Sequence, residues 1–162
     1  MTTASTPPSP RPQSAGVRID PQLIYAIPLV AAWLVHRVAP RPLLPAGLAA
    51  PIGIGCLILG IAIASAAVRG FRAARTTIQP WESTTALVTS GVFRFSRNPI
   101  YVGYTLLYLG VGCWINSIWP LVLLPVVLGL MHGLVIRREE AYLEDRFGES
   151  YRDYRRRVRR WV

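Results

Sequence analysis

Two short stretches of this sequence carry residue types that could do chemistry. The first, S-R-N-P-I-Y-V-G-Y at 96–104, sets an arginine, an asparagine and a proline at the mouth of an apolar run. Asn98 suits the N-cap of a helix, and Pro99 suits the first helical position, where its missing N–H costs nothing. A helix begun there turns unpaired N–H groups and the positive end of its dipole toward the preceding polar segment. With Arg97 alongside, that is a ready site for a carboxylate or phosphate. The second stretch is H-G-L-V-I-R-R-E-E at 132–140. His132 lies seven residues before Glu139 and eight before Glu140, about two α-helical turns. One helical face could therefore present an imidazole and a carboxylate, and a carboxylate turned into a membrane bundle needs a cation. Together the stretches offer donors for an anion and carboxylates for a cation. A ligand with both an ammonium and a carboxylate, such as an amino-acid moiety, would bridge them.

Each stretch also has a plainer reading. Arg97 could snorkel to headgroups, Asn98 could simply cap, and Tyr101 and Tyr104 could belong to an interfacial aromatic belt. Taken alone, the first stretch is better explained that way. Glu139 and Glu140 could pair with Arg137, Arg138 or nearby arginines at a surface, which is worth little. His132 alone is more often an interhelical hydrogen-bonder than a catalyst.

The elements that must position these residues are membrane helices. The chain has 162 residues, enough for one domain, and its 52% hydrophobic composition is gathered into long blocks. Lipid leaves no partner for a free backbone polar group, so apolar blocks of this length must span as helices. The expected fold is an all-α integral membrane protein, a compact bundle of about four transmembrane helices with a cytoplasmic C-terminal helical segment. The spans read as 23–39, 43–68, 99–115 and 118–136, with cytoplasmic helices over 137–162. Residues 1–20 are rich in Pro, Ser and Thr and read as a disordered tail without signal-peptide pattern, leaving 21–162 as the domain. Small residues crowd the second span (Ala49, Gly53, Gly60, Ala62, Ala64, Ala66, Ala67) and suggest the central packing surface. The third and fourth spans, joined by Asn116 and Ser117, are expected to form an antiparallel hairpin.

Net charge is +10, carried entirely by arginine. Beside apolar blocks this points to anionic lipid headgroups, above all at the arginine-rich C-terminal segment, and not to nucleic acid. The two most basic segments, 69–98 and 137–162, fall on one side if both termini are cytoplasmic. The expectation is a multi-pass protein of the plasma membrane. Cys56 and Cys113 lie within apolar runs and give neither a disulfide framework nor a metal-ligand spacing.

Three runs then resemble a known family: T-x-I-x-P ending at Pro80, L-V-T-S-G-V-F-R-F-S-R-N-P-I-Y-V-G at 87–103, and E-E-A-Y-L-E-D-R-F-G-E-S-Y-R-D-Y-R-R-R-V-R-R-W at 139–161. In order and spacing they are similar to the isoprenylcysteine carboxyl methyltransferases, within the membrane methyltransferase superfamily that includes phospholipid N-methyltransferases. The resemblance implies S-adenosylmethionine as methyl donor, held at the cytoplasmic face, and a lipophilic acceptor, most directly an isoprenoid-linked or other lipophilic carboxylate. The family's Arg-His-Pro-x-Tyr-x-Gly element falls on Arg97, Asn98, Pro99, Tyr101 and Gly103, and its Glu-Glu element on Glu139 and Glu140. Those positions are implied to surround the cofactor. Arg97 is also placed near the reacting groups, with Arg94 and His132 as further candidates facing the acceptor. Asn98 stands where eukaryotic members have histidine, which excludes a role for a protonatable imidazole there. The alternatives are N-methylation of a phospholipid amine, or a non-catalytic membrane subunit that retains the fold.

Overall fold

The computed structural model describes residues 14–17, 19–79 and 82–162. Most of the expected disordered tail, residues 1–13 and 18, lies outside the described residues, as does Pro80 of the T-x-I-x-P run. Residues 14–17 are packed: Val17 is buried, and Gly16 O accepts from Arg138 Nη1 at 3.0 Å.

The described chain is an all-α membrane bundle. Helix α1 (Pro21–Val38) starts at Asp20, whose carboxylate accepts from Gln22 N at 2.9 Å, with Pro21 at the first position. Helix α2 (Ala46–Ala73) begins three residues later than expected, after Pro45, and runs five residues further. It stops where Arg75 takes a positive φ of 51° and Thr76 N closes onto Phe71 O. An irregular segment and a 3₁₀ turn at Gly91–Arg94 lead to α3 (Pro99–Trp114). Helix α4 (Trp119–Leu130) passes through a π-helical stretch (Met131–Ile136) into α5 (Arg137–Phe147), so the helix continues past the end of its apolar block. Gly148, with φ +57°, turns the chain into α6 (Glu149–Arg157).

Among the described residues, three helices are long and apolar enough to cross a membrane: Pro21–Val38, Ala46–Ala73 and Trp119–Phe147. Helix α3 has 16 residues and a length of about 24 Å. Their outer faces expose Ile27, Val30 and Leu34 on α1, Ile58 and Ile61 on α2, and Val122 and Val126 on α4, a surface suited to lipid.

Helices α3 and α4 are in looser antiparallel contact, with Tyr101 and Tyr108 sharing a core cluster with Val127 and Met131. Helix α3 packs most closely on α2, and α4 on α1. Glycines decide this. A Cβ on Gly53 would lie 2.6 Å from Trp114 N, one on Gly60 2.8 Å from Gly103 O, and one on Gly110 3.0 Å from Gly53 O. Two glycine stripes thus bring the antiparallel backbones of α2 and α3 into direct contact. Between α1 and α3 lies a tyrosine layer in which Tyr25 Oη reaches Tyr101 O at 3.3 Å and Thr105 Oγ1 at 3.0 Å.

At the end remote from Arg97, Asn116 ties two connections together. Its Oδ1 accepts from Leu43 N (3.0 Å) and Leu44 N (2.9 Å), its Nδ2 donates to Leu44 O (2.9 Å), and its φ is +51°. Asn116→Ala is expected to lower stability by about 2–3 kcal/mol through three lost hydrogen bonds and a left-handed residue that alanine tolerates poorly. Thermal unfolding in detergent measures it.

Candidate functional site

The opposite end of the bundle holds a cleft with about 830 Å³ of empty space, counting its open mouth. Its floor is the start of α3 (Arg97, Asn98, Pro99, Ile100, Tyr101), and α5 contributes Glu139, Glu140, Tyr142 and Leu143. The 74–90 segment closes one side with Thr77, Ile78 and Leu87, and α6 closes another with Tyr151 and Tyr154. The cleft has a charged corner and an apolar remainder formed by Phe71, Leu87, Val88, Phe93, Ile100 and Leu143.

The corner is built from residues far apart in sequence. Tyr101 Oη donates to Glu139 Oε1 at 2.7 Å. Glu140 is held by two arginines: Arg97 Nη2 lies 3.2 Å from Oε1, while Arg160 reaches Oε1 through Nε (2.9 Å) and Oε2 through Nη2 (2.7 Å). Arg97 and Glu140 side chains are only 9% and 12% exposed, so this charge-assisted pairing is largely shielded from water. Both oxygens of Glu140 are therefore committed within the chain.

Arg97 is not fully committed. Among the described residues, its Nε and Nη1 are buried without a hydrogen-bond partner. The Tyr151 phenol stands beside the guanidinium and interacts with it. A buried donor left unpaired costs roughly 1–3 kcal/mol, and more when charged. Such a group, lining a cleft at the positive end of α3, is suited to an anionic ligand. Glu139 beside it supplies a carboxyl group.

The remaining walls are held by tyrosines. Tyr154 Oη donates to Phe93 O at 2.6 Å, and Thr84 N donates to Tyr142 Oη at 3.0 Å. Burial pushes the Tyr151 phenol up to about 12, reinforced by the Glu140 charge, and raises Tyr154 as well. Both stay protonated near neutral pH. Beyond α6 the chain crosses back over α3: Arg97 N donates to Arg159 O (3.0 Å), and Ser96 Oγ (3.2 Å) and Asn98 Nδ2 (3.0 Å) donate to Arg160 O.

The structure brings Arg97, Asn98, Pro99, Tyr101, Glu139 and Glu140 to one cleft and leaves three expected residues out of its lining. Gly103 sits in the α2–α3 contact, where a Cβ would meet Ala64 Cβ and Gly60 O at 2.9 Å; its small size serves helix packing. Arg94 is exposed and stacks on the exposed Phe95 ring, 4.6 Å from its centroid. His132 stands behind Arg160, with Nδ1 3.4 Å from Nη1. The seven-residue count to Glu139 assumed an α-helix throughout. A π turn takes in about one residue more than an α turn, so His132 aligns with Glu140, eight residues on, and both meet the same arginine. Asn98 occupies the N-cap position of α3, but its side chain makes no capping bond and serves Arg160 O instead.

Sequence reasoning missed Tyr142, Tyr151, Tyr154, Phe93 and Arg160. The one signal for the α6 tyrosines was their i, i+3 spacing in an arginine-rich helix, which places two aromatic rings on one face.

Residues 48–150 match the sequence model of a family described as phospholipid methyltransferase. The chain is 38% identical over 72 residues to the protein-S-isoprenylcysteine O-methyltransferase of Schizosaccharomyces pombe, covering 44% of this chain and 30% of that protein. It is 38% identical over 72 residues to the cobalt-zinc-cadmium resistance protein CzcN of Cupriavidus metallidurans, covering 44% and 33%. A third relative, an uncharacterized protein of Haemophilus influenzae, is 32% identical over 63 residues, which are 39% of this chain and all of that one. The matched stretch thus spans about a third of the first two relatives. No solved structure matches the chain.

Proposed function

The chain belongs to the phospholipid methyltransferase family, and from that premise we propose that it transfers a methyl group from S-adenosylmethionine to a lipid-like acceptor. The reaction takes place at the cytoplasmic face of the plasma membrane, with four spans and both termini inside. The observation that carries this reading is the buried Arg97, with two unpartnered donors, beside Glu139 in an otherwise apolar cleft. That corner fits an amino-acid moiety. Arg97, at the α3 N-terminus, takes the carboxylate, and Glu139, oriented by Tyr101, takes the ammonium. Glu140 acts through its arginines, and Asn98 through the chain segment it fixes. The apolar walls accept the purine and the greasy part of the acceptor.

When bound, S-adenosylmethionine supplies a methyl group already activated on a sulfonium sulfur. The protein then has to align the acceptor and keep water away. Phe93, Tyr151, Tyr154 and Leu143 do the second. A carboxylate acceptor has no proton to lose, so no general base is required. Carboxyl O-methylation is the first reading, supported by the likeness to the S. pombe enzyme; N-methylation of a phospholipid amine is the second, supported by the family's description. Arg152, Arg155 and Arg156 pair with Glu144, Glu149 and Asp153. These exposed pairs are weak, and contact with anionic lipid headgroups falls chiefly to the arginine-rich C-terminal segment.

The test supplies labelled methyl donor to purified protein in phospholipid vesicles with and without a prenylated cysteine analogue. Label released by base as volatile methanol identifies a methyl ester and the first reading. Label that base leaves non-volatile, on the headgroup amine, identifies the second. Donor binding without product in either vesicle would overturn both acceptor classes, and no binding at all would favour the non-catalytic subunit.

A further inference from the structure

We propose that Arg160 is a positioning residue of the site: by occupying Glu140, it leaves Arg97 free to bind the anionic end of the ligand. This rests on the methyl-donor reading above.

The argument begins with competition for one carboxylate. Glu140 is 12% exposed and lies between two guanidinium groups. Arg160 takes it in the two-pronged geometry that matches a carboxylate best, at 2.9 and 2.7 Å, and Arg97 is left a single longer contact of 3.2 Å. Consequently Arg97 Nε and Nη1 stay unpaired in the cleft. Without the Arg160 guanidinium, Glu140 would have Arg97 as its cation, and Arg97 would turn to pair with it through two nitrogens. The donors would leave the cleft, and the corner would lose one positive charge. Both changes oppose an incoming carboxylate.

Arg160 is itself held in place. Its carbonyl accepts from Ser96 Oγ and Asn98 Nδ2, its neighbour's carbonyl accepts from Arg97 N, and Trp161 packs against the core cluster containing Tyr101 and Met131. None of these anchors uses the Arg160 side chain, so its substitution leaves the segment docked. His132 Nδ1, 3.4 Å from Nη1, steadies the guanidinium from behind.

The test is a double-mutant cycle of S-adenosylmethionine binding, read by calorimetry on the full chain in detergent, with thermal unfolding of each variant. Arg160→Met is expected to weaken binding on the order of tenfold or more, and Arg160→Lys to restore part of it. Glu140→Gln removes the group the arginines compete for, so Arg160→Met in that background should cost much less, leaving only the loss of one positive charge. A merely structural arginine would lower the unfolding midpoint in both backgrounds and leave affinity unchanged. Equal affinity of the unaltered chain and Arg160→Met, or additive losses in the double variant, would overturn the proposal. If Arg160→Met does not fold, the same cycle with Arg160→Lys decides. Absence of binding by the unaltered, folded chain is a different result and overturns the methyl-donor reading itself.

Discussion

Arg97→Met is expected to weaken S-adenosylmethionine binding severely while leaving the bundle folded. Truncating one partner of a buried, hydrogen-bonded charge pair costs about 2–5 kcal/mol in binding, a loss of some thirtyfold or more. Here the ligand loses both unpartnered nitrogens at once. The fold survives because Glu140 keeps its two-pronged contact with Arg160 and is not left as an isolated buried charge. Glu140→Ala should behave oppositely. It strands two guanidinium groups around one small side chain, and loss of a partner from a buried ion pair destabilises by about 3–5 kcal/mol. Calorimetry paired with thermal unfolding separates the two. Unchanged affinity in a folded Arg97→Met protein would remove the central element of the site.

The second large effect comes from one methyl group. Gly53→Ala is expected to destabilise the bundle by on the order of 3 kcal/mol, because overpacking against backbone cannot be relieved by a rotamer change. The added Cβ would meet Trp114 N at 2.6 Å, Gly110 O at 2.8 Å and Trp114 Cα at 2.9 Å. To accommodate it, α2 and α3 must part along their length, taking the floor of the cleft with them. Gly55→Ala, on the same helix with nothing within 4 Å of the new atom, should leave the unfolding midpoint unchanged or slightly raised. Equal midpoints for the two variants would refute the role assigned to the glycine stripes.

The sequence made the helices legible because lipid imposes long uninterrupted apolar runs, and their ends fell near prolines and arginines. It pointed to the small residues of the second span as the central packing surface but not to their partner. The tightest contact is the fit of Gly53 and Gly60 against Gly103 and Gly110, which the two-residue connection between α3 and α4 does not report. Half of the site was legible for a similar reason. Arg97, Asn98 and Pro99 sit at a helix start, and Glu139 and Glu140 are carboxylates at the end of an apolar helix, both unusual in context. Arg160 was not legible. Among eighteen arginines nothing local distinguishes it, and Arg137 and Arg138, adjacent to the glutamates, were the obvious partners. On a helix, adjacent residues point in different directions, and the cation that reaches Glu140 arrives from twenty residues away.

The π-helical stretch Met131–Ile136 bears on how far this molecule can be taken apart. Upstream of it, the helix presents Val127 to the bundle interior; downstream, it presents Glu139 and Glu140 to the cleft. The additional residue in the π turn sets the rotation between those two faces, about 100° per residue. The polar half is therefore no detachable module. Grafted onto a regular membrane helix without these six residues, α5 would still carry Glu139 and Glu140 and aim them elsewhere. A chimera must be joined upstream of Met131 to keep them in line.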